Sequence, residues 1–431
     1  MVWYYNGICM SRVCIINIAG LSMRMLGRCN GLWTQSLAGA PVAVGATFPA
    51  VSASVQASMT TGVEPGAHGV IAGGIFRRQC RAMSLDERSN TLLNKKRFWH
   101  GRSMPSRMKV SLLFWSNPLA GAGDYVIGAS TYGPAARIVA DVPQGLHAQI
   151  ANKIGPFDAA LVRGPGSSCR ASEWITAAGE YVWNALKPDI QLVYLPGLNF
   201  EIIRHGFDSP QALDALKTMD ALVDRLAQTV LQTGGQVVLV SDGGYVPVSK
   251  YACPNRALRR AGLLVTKDDG NRIDLERSRA VALVDHQVAH VYCDDPAVAK
   301  DASAAIASED GVDKVLTRDE LFCEGLGHDR AGEVVVLSEA SSWLCYQWWN
   351  GDAPPIAYAT DTTAKAGYDP CELVGGEEGS INPDPSLCRA SRGLITADVQ
   401  DQCLIAGTVP IEPVECVTDL PDVVKTLLFM R

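Results

Sequence analysis

Three short and nearly unbroken apolar runs constrain the fold of this chain more than any other feature. They are Val13–Ile18, Gln191–Leu195 and Gln236–Val240, and a turn rich in Gly, Asn or Asp follows each of them. Such runs are typical of strands that are buried on both faces of a parallel sheet. Because helical patterns separate them, the sequence predicts an α/β fold with a mostly parallel central sheet flanked by helices.

Further patterns extend this prediction along the chain. Apolar residues at helical spacing predict helices over 170–186 and 209–233. In the later part we expect strands at Ala280–Val284, Ala289–Cys293 and Glu333–Ser338, helices near 296–307 and 316–322, and a loop over 360–400.

The stretch 86–187 does not share this rhythm. It begins with a basic, irregular segment and continues through a region rich in turns. We therefore expect an α/β core made of residues 10–85 and 188–431, with 86–187 inserted as a cap over the sheet. A chain of 431 residues is long enough for this arrangement.

Composition argues against several classes of partner. The chain has 38 Lys and Arg against 45 Asp and Glu, and this net charge of −7 disfavours nucleic acid and anionic membranes as partners. The sequence predicts neither a secretory signal nor a transmembrane span of about 20 apolar residues. The 13 cysteines include no Cys-x-x-Cys pair, which favours reduced thiols in a cytoplasmic protein. The oligomeric state is left open.

Oxygen-bearing side chains stand at the ends of the three apolar runs. These are Asn17, Asn199 and Asp242. In an open parallel sheet, ligands bind beyond the carboxyl ends of the strands, so these residues are candidate ligands of a bound group. The alternative is that they cap helices, since Asn and Asp are common in turns between strands and helices.

A stretch of small hydroxyl residues follows Phe48-Pro49 and precedes a short helical pattern. A hydroxyl at a helix N-terminus lies among free N–H groups and the positive end of the helix dipole. This setting binds anions and favours an alkoxide nucleophile. The alternative is N-capping by Ser or Thr.

This stretch also carries a resemblance to a known family. The matching segments are TFPAVSASVQASMTTGVEPGAHGVIAGGIF (47–76), INIAGLSMRMLG (16–27), FWSNPLAGAGDY (114–125), LVYLPGLN (192–199), PVSKYACPNRALRRAGLL (247–264), VDHQVAHVY (284–292), GHDRAGEVVVLS (327–338) and AGYDP (366–370). Over residues 12–415 the chain resembles the alkaline phosphatase superfamily. It is most similar to the type I phosphodiesterase/nucleotide pyrophosphatase branch, in a bacterial subgroup.

The resemblance implies a metal-dependent hydrolase of a small phosphoester or nucleotide-like substrate. It implies that Ser52 is the nucleophile, at a position where the family more often has Thr. Attack in line would give a covalent intermediate that water then clears. Two divalent metal ions about 4 Å apart would stabilise the attacking and leaving oxygens. Zn²⁺ is the expected metal, with Mn²⁺ or Mg²⁺ as alternatives.

Several positions depart from the metal ligands of the superfamily. The first-strand Asp falls on Asn17, the second-strand Asp on Asn199, and the third-strand Asp-His pair on Asp242 and Gly243. A neutral Asn binds a hard dication more weakly than Asp does. His205 stands six residues after Asn199 and could replace a missing ligand.

The late ligand departs further. The superfamily supplies a final His in a context like Ser-His-Gly near the C-terminus, and this position falls on Leu420. The His that precedes Gly-Tyr-Asp-Pro in the subgroup falls on Thr363. His286 and His290 are four residues apart and could pair on a metal if they lay on a helix. The run 289–293 reads as a strand, however, so both could instead be structural, hydrogen-bonded histidines.

Two functional hypotheses follow. The first is a metal-dependent phosphodiesterase or nucleotide pyrophosphatase that uses Ser52, Asp242 and Asn17. The second is a catalytically impaired member, a pseudoenzyme, that keeps the fold and binds a ligand or a partner. The missing Asp and His residues support the second hypothesis, and the well-kept stretch around Ser52 supports the first.

Overall fold

A computed structural model gives the arrangement of most of the chain. It describes residues 4–5, 8–28, 39–84, 87–105, 108–130, 137–162, 164–323, 325–351, 354–356, 358, 367–368, 370–376, 380–411 and 414–430.

Eight strands form the central sheet. Across the sheet they follow the order Val42–Val44, Cys403–Gly407, Gln236–Val240, Val13–Ile18, Ile190–Leu195, Val110–Leu113, Tyr125–Ser130 and Arg137–Val142. The five strands from Gln236–Val240 to Tyr125–Ser130 run parallel to one another. Cys403–Gly407 and Arg137–Val142 run antiparallel. The prediction of a mostly parallel central sheet is confirmed.

The three apolar runs lie side by side in this sheet. Val13–Ile18 is the middle strand, and its register pairs Asn17 with both Tyr194 and Val240. All six residues of Val13–Ile18 are buried, because helices cover both faces of the sheet. The carboxyl ends of the three strands therefore meet at one edge, which places Asn17 and the residues after Leu195 and Val240 near one another.

Long helices pack against the sheet close to where the sequence predicts them. Pro210–Leu231 buries one face that includes Leu216, Val223 and Val230, and the Ser209 hydroxyl caps it by accepting from the Ala212 N–H at 3.1 Å. Cys169–Tyr181 continues through a π-helical turn at Val182–Leu186. Gly197–His205 begins directly after the strand Ile190–Leu195.

The segment predicted as a cap contributes to the central sheet itself. Its strands Val110–Leu113, Tyr125–Ser130 and Arg137–Val142 extend the sheet on one side. Its helices Leu146–Ile154 and Cys169–Tyr181 follow these strands. The arrangement of 86–187 thus differs from the predicted cap. The strand Val110–Leu113 pairs parallel with Ile190–Leu195, and this pairing makes the segment part of the sheet.

A second sheet of five strands lies in the later part of the chain. Its order is Val312–Thr317, Val334–Ser338, Val288–Cys293, Ala280–Asp285 and Gly367–Tyr368. The helix Pro296–Ala307 packs on it, at the predicted place. The region predicted as a helix near 316–322 is divided between the end of the strand Val312–Thr317 and the helix Arg318–Cys323.

Shorter elements complete the structure. The remaining strands are Tyr4–Tyr5, Ile8–Cys9, Ile75–Arg77, Ala82–Ser84, Val246–Pro247, Lys250–Ala252, Thr266–Lys267, Arg272–Ile273, Ser342–Leu344 and Ala390–Ser391, and the remaining α-helices are Met23–Leu26, Ser52–Thr61, Pro65–His68, Pro254–Arg260 and Leu420–Phe429. Turns of 3₁₀ helix occupy Arg78–Cys80, Asn90–Leu92, Phe98–His100, Ala159–Val162, Pro370–Leu373, Pro385–Leu387 and Val417–Asp419.

The cysteines and the helices concern two further expectations, which are reduced thiols and no membrane-spanning segment. None of the ten cysteines whose side chains the structure describes forms a disulfide, and seven of these ten are buried. No helix in the same part combines the length and the apolar composition that crossing a bilayer requires.

Candidate functional site

A cleft of about 250 Å³ opens at the carboxyl ends of the central strands. The polar residues that line it include Ser52, Tyr194, Asn199, Asp285, His286 and Arg392. Tyr194 is the penultimate residue of the strand Ile190–Leu195, and Asn199 lies in the first turn of the helix that follows. The cleft therefore occupies the edge where open parallel sheets bind their ligands.

Ser52 is the first residue of the helix Ser52–Thr61 and faces this cleft. The N-cap residue is Val51, whose backbone is extended and which makes no side-chain cap. Ser52 is therefore not used as the capping residue, and its half-buried hydroxyl is directed to other partners. The Tyr194 hydroxyl lies 3.3 Å from the Ser52 Oγ. The free N–H groups of the first helical turn add a local positive potential.

Arg392 is the principal partner of Ser52. One terminal nitrogen of its guanidinium donates to the Ser52 Oγ. The other donates to the Asp242 carboxylate, 3.1 Å away, and lies 3.4 Å from the Asp242 carbonyl oxygen. The side chains of Arg392 and Asp242 are only 4% and 0% exposed. A buried cation thus joins the expected nucleophile to the one carboxylate among the three strand-end residues.

Local backbone contacts hold Arg392 in this place. Ala390–Ser391 pairs antiparallel with Val246–Pro247, which follows the Asp242 turn. The Gln287 N–H donates to the Arg392 carbonyl at 2.9 Å, and the Ala50 N–H donates to the Gly393 carbonyl at 2.9 Å. Gly393 has a φ of +125°, a conformation that side chains rarely adopt. The turn that carries Arg392 is therefore tied both to the second sheet and to the segment before Ser52.

The charges around Arg392 keep it protonated. Burial by itself lowers the pKa of Arg392, but Tyr245 and then Asp242 act against burial, and the pKa lies above its ordinary value. Its guanidinium carbon lies 4.9 Å from the centre of the Tyr245 ring, within the range of a cation–π contact. Burial, followed by the charge of Asp242, raises the pKa of Tyr194. Tyr194 is therefore a neutral phenol that can donate to Ser52.

His286 lies at the turn between the strands Ala280–Asp285 and Val288–Cys293 and lines the cleft. Burial, and then the charge of Arg392, hold the pKa of His286 well below its ordinary value, so the ring is neutral. Its Nδ1 lies 3.4 Å from the Ser391 hydroxyl. The neighbouring Asp285 carboxylate accepts from the Gly73 N–H at 2.8 Å.

The structure places the other two candidate histidines outside the lining of the cleft. His205 is in the last turn of the helix Gly197–His205, with its Nε2 3.5 Å from the Glu201 carboxylate. The Nδ1 of His290 accepts from the Gly332 N–H at 3.4 Å, and its Nε2 lies 3.3 Å from the Ile71 carbonyl oxygen. Both ring nitrogens of His290 are thus occupied by the backbone, and 289–293 is part of a strand.

The three strand-end residues meet the requirements of a dinuclear metal centre poorly. Within the described residues, both amide atoms of Asn17, the Oδ1 of Asn199 and the Oδ2 of Asp242 are buried without a hydrogen-bond partner. Two of these side chains are neutral amides, and the third is already paired with Arg392. No three His, Cys, Asp or Glu side chains of the described part are grouped so that they could hold a metal ion. Two dications need several carboxylate or imidazole ligands, so this residue set does not fit a dinuclear site.

Leu420, where the family resemblance puts the late ligand, is not part of the cleft lining. Leu420 is 2% exposed and belongs to an apolar cluster with Val55 and Met59, and Thr363 lies outside the described residues. Arg392 instead stands beside Asp242, in the sequence Ser391-Arg392-Gly393. Sequence reasoning missed Arg392, although the surrounding Ser-x-Gly was a usable signal, because only His was sought at its centre.

Comparisons with known proteins identify the family of the chain. The family model of the type I phosphodiesterases/nucleotide pyrophosphatases matches residues 13–369. None of the curated proteins compared with the chain matches its sequence.

Solved structures share the fold at low sequence identity. Phosphonoacetate hydrolase from Sinorhizobium meliloti, in complex with phosphonoacetate, has a TM-score of 0.64 at 15% identity, over 99% of each chain. Murine ectonucleotide pyrophosphatase/phosphodiesterase 5 has a TM-score of 0.63 at 12% identity, over 97% of this chain and 95% of the other. An inactive form of the murine protein in complex with AMP has a TM-score of 0.63 at 12% identity, over 98% and 96% of the two chains.

Proposed function

The chain belongs to the type I phosphodiesterase/nucleotide pyrophosphatase family, and from this premise we propose that its cleft binds a small phosphoester or nucleotide-like ligand and that Ser52 is the nucleophile of its hydrolysis. The observation that carries the proposal is the position of Ser52. Its hydroxyl lies at the start of a ten-residue helix, inside the cleft, next to the guanidinium of Arg392.

The surroundings of Ser52 suit attack on phosphorus. The cationic Arg392 and the free N–H groups of the helix favour the deprotonated form of the hydroxyl and attract phosphoryl oxygens. The Ser52 oxygen would lose its proton to solvent and form a bond to phosphorus while the bond to the leaving oxygen breaks, and that oxygen would take a proton from water to leave as the alcohol. Water would then cleave the new Ser52–phosphorus bond and release the product. These steps involve only Ser52, Arg392, the helix N–H groups and water.

The ligand class rests on fold and family. Two proteins of the same fold were solved with small ligands, phosphonoacetate and AMP. Phe114 also lines the cleft and stands in an aromatic cluster with Phe157 and Trp174, with ring centres 5.0 and 6.3 Å away. Such a cluster offers a flat apolar surface for an aryl or heterocyclic leaving group.

A non-catalytic, ligand-binding role is the second candidate. It is supported by the ion pair of Arg392 with Asp242 and by the neutral amides at Asn17 and Asn199, which leave few ligands for the metals that the family resemblance implies. Under this candidate, the cleft binds the same class of ligand without turning it over.

Hydrolysis of bis(4-nitrophenyl) phosphate separates the two candidates. We expect wild-type protein to release 4-nitrophenol, and Ser52→Ala to lower the rate at least about a hundredfold while the protein stays folded. The matched control is Thr61→Ala in the same helix, because the Thr61 hydroxyl bonds to the Ala57 carbonyl and is not part of the cleft lining. Each protein is assayed with EDTA and with Zn²⁺, Mn²⁺ or Mg²⁺. Inactivity of the wild type in every condition, with ligand binding retained, would favour the non-catalytic role.

A further inference from the structure

Arg392 bridges the expected nucleophile and the third-strand carboxylate. It contacts the Ser52 hydroxyl on one side and the carboxylate of Asp242 on the other. A metal ion shared between the nucleophile and the third-strand carboxylate would have to make these same two contacts. The guanidinium and such an ion therefore exclude each other.

The side chain has donors left for a ligand. A guanidinium carries five N–H groups in a planar fork that matches phosphoryl oxygens. Arg392 makes three bonds within the described residues, two to Asp242 and one to Ser52. It lines the cleft, and its backbone is fixed by Ala50 and Gln287, so a phosphoryl group would meet a preorganised cation.

The charge of the cleft differs from that of a two-metal site. Glu87, Arg88 and Asp285 line the cleft with Arg392, and Arg77 pairs with Glu87 while Asp242 pairs with Arg392. The positive charges of the three arginines therefore equal the negative charges of Glu87, Asp242 and Asp285. Two divalent ions would add four positive charges, which stabilise a dianion. A cleft near neutrality instead favours a ligand with one negative charge, because a second charge would be repelled by the Asp285 carboxylate in the same lining.

From these contacts we infer that Arg392 replaces the metal ions of this fold, so that the cleft binds singly charged phosphodiesters without metal and discriminates against doubly charged phosphomonoesters. The inference rests on the proposed function only for the ligand class. It does not depend on turnover, because binding alone tests it.

Calorimetric titration of Ser52→Ala tests the inference with two matched probes. Methyl phenyl phosphate carries one negative charge, and phenyl phosphate carries two at pH 8. Each probe is titrated into protein dialysed against EDTA and into the same protein supplied with Zn²⁺. We expect methyl phenyl phosphate to bind in EDTA with a Kd that Zn²⁺ changes less than about twofold, and phenyl phosphate to bind at least about tenfold more weakly.

The role of Arg392 is tested by removing the ion pair as a unit. Arg392→Gln alone would leave Asp242 buried without a partner and could unfold the protein. The variant tested therefore carries Asp242→Asn and Arg392→Gln together. Both are made in the Ser52→Ala background. We expect at least about a tenfold loss of methyl phenyl phosphate affinity in the paired variant. Arg225→Gln is the matched control, because Arg225 bonds to Glu180 at an exposed site away from the cleft lining.

The outcomes separate the inference from the proposed function. Binding that requires Zn²⁺ would overturn the inference and leave the proposed function standing. Tighter binding of phenyl phosphate, or metal-free binding that survives the paired variant, would also overturn it. Metal-free binding without hydrolysis by the wild type would support the inference and count against the hydrolase. No binding of either probe in either condition would overturn both.

Discussion

Arg392 and Asp242 form an ion pair of 3.1 Å inside the protein, and their side chains are 4% and 0% exposed. The pair lies between a turn near the C-terminal end of the chain and the carboxyl end of a central strand, and it also reaches Ser52. Its strength and its position link the stability of the fold to the chemistry of the cleft.

Replacement of Asp242 by Asn should destabilise the protein strongly. It leaves a buried guanidinium without its counter-charge, and breaking a buried pair in this way costs about 3–5 kcal/mol. Urea unfolding followed by circular dichroism measures the loss. The control is Asp214→Asn, because Asp214 is 77% exposed and pairs with Lys217 at 3.5 Å. That variant should change the free energy of unfolding by less than about 0.5 kcal/mol. Equal effects of the two substitutions would contradict the prediction.

Stability should fall in acid through His290. Burial lowers the pKa of His290 to about 4, against an ordinary value near 6.5. The neutral ring is favoured in the folded state, because protonated Nδ1 could no longer accept from the Gly332 N–H. The stabilisation is complete above pH 6.5. It declines as the pH falls and is lost at about pH 4, by an amount on the order of 3 kcal/mol.

His290→Gln tests this pH dependence, because Gln does not titrate in the range. Urea unfolding between pH 7.5 and pH 4 should give a flatter profile for the variant than for the wild type. Parallel profiles would mean that other groups cause the loss of stability in acid.

Gly393→Ala should weaken ligand binding through the turn that carries Arg392. A Cβ at this position would stand 3.3 Å from the Gln287 nitrogen, at a φ of +125°. The comparison is Gly121→Ala, where φ is +80° and nothing lies within 4 Å of the added Cβ. Both substitutions should cost about 1–2 kcal/mol of stability from backbone strain. Only Gly393→Ala should also lower the affinity for methyl phenyl phosphate in calorimetry. A similar affinity for the two variants would show that the turn does not position Arg392.

Two substitutions together should create a zinc site. Arg392→His removes the competing cation and adds an imidazole beside Asp242, and Asn199→Asp adds a carboxylate to the cleft lining. Three protein ligands and a water are sufficient for Zn²⁺. We expect zinc measured by plasma mass spectrometry after dialysis to rise toward about one ion per chain.

The control pairs Asn199→Asp with Leu420→His. Leu420 is buried in an apolar cluster, so an imidazole there cannot reach the cleft and should mainly destabilise the fold. Equal zinc contents in the two double variants would show that a ligand at position 392 does not contribute to a zinc site.

The sequence by itself determined the layered fold and the start of the site. The runs around Ile16, Val193 and Val238 are apolar on both faces, and that pattern suits only a strand covered on both sides. The family resemblance carried by the hydroxyl stretch likewise indicated Ser52. Both signals are local in the chain, so they could be recognised before any tertiary structure was known.

Only the tertiary structure decided where Arg392 lies and what the segment 86–187 becomes. Arg392 stands 150 residues from Asp242 and 340 from Ser52, and no local pattern reports contacts across such distances. The strand Val110–Leu113 joins the central sheet because it pairs with Ile190–Leu195, which its own irregular surroundings do not reveal. Strand register and long-range pairing depend on how the whole chain packs. For this reason the tertiary structure decided the charge of the cleft, whereas the local sequence patterns already predicted that the cleft lies at the carboxyl ends of the strands.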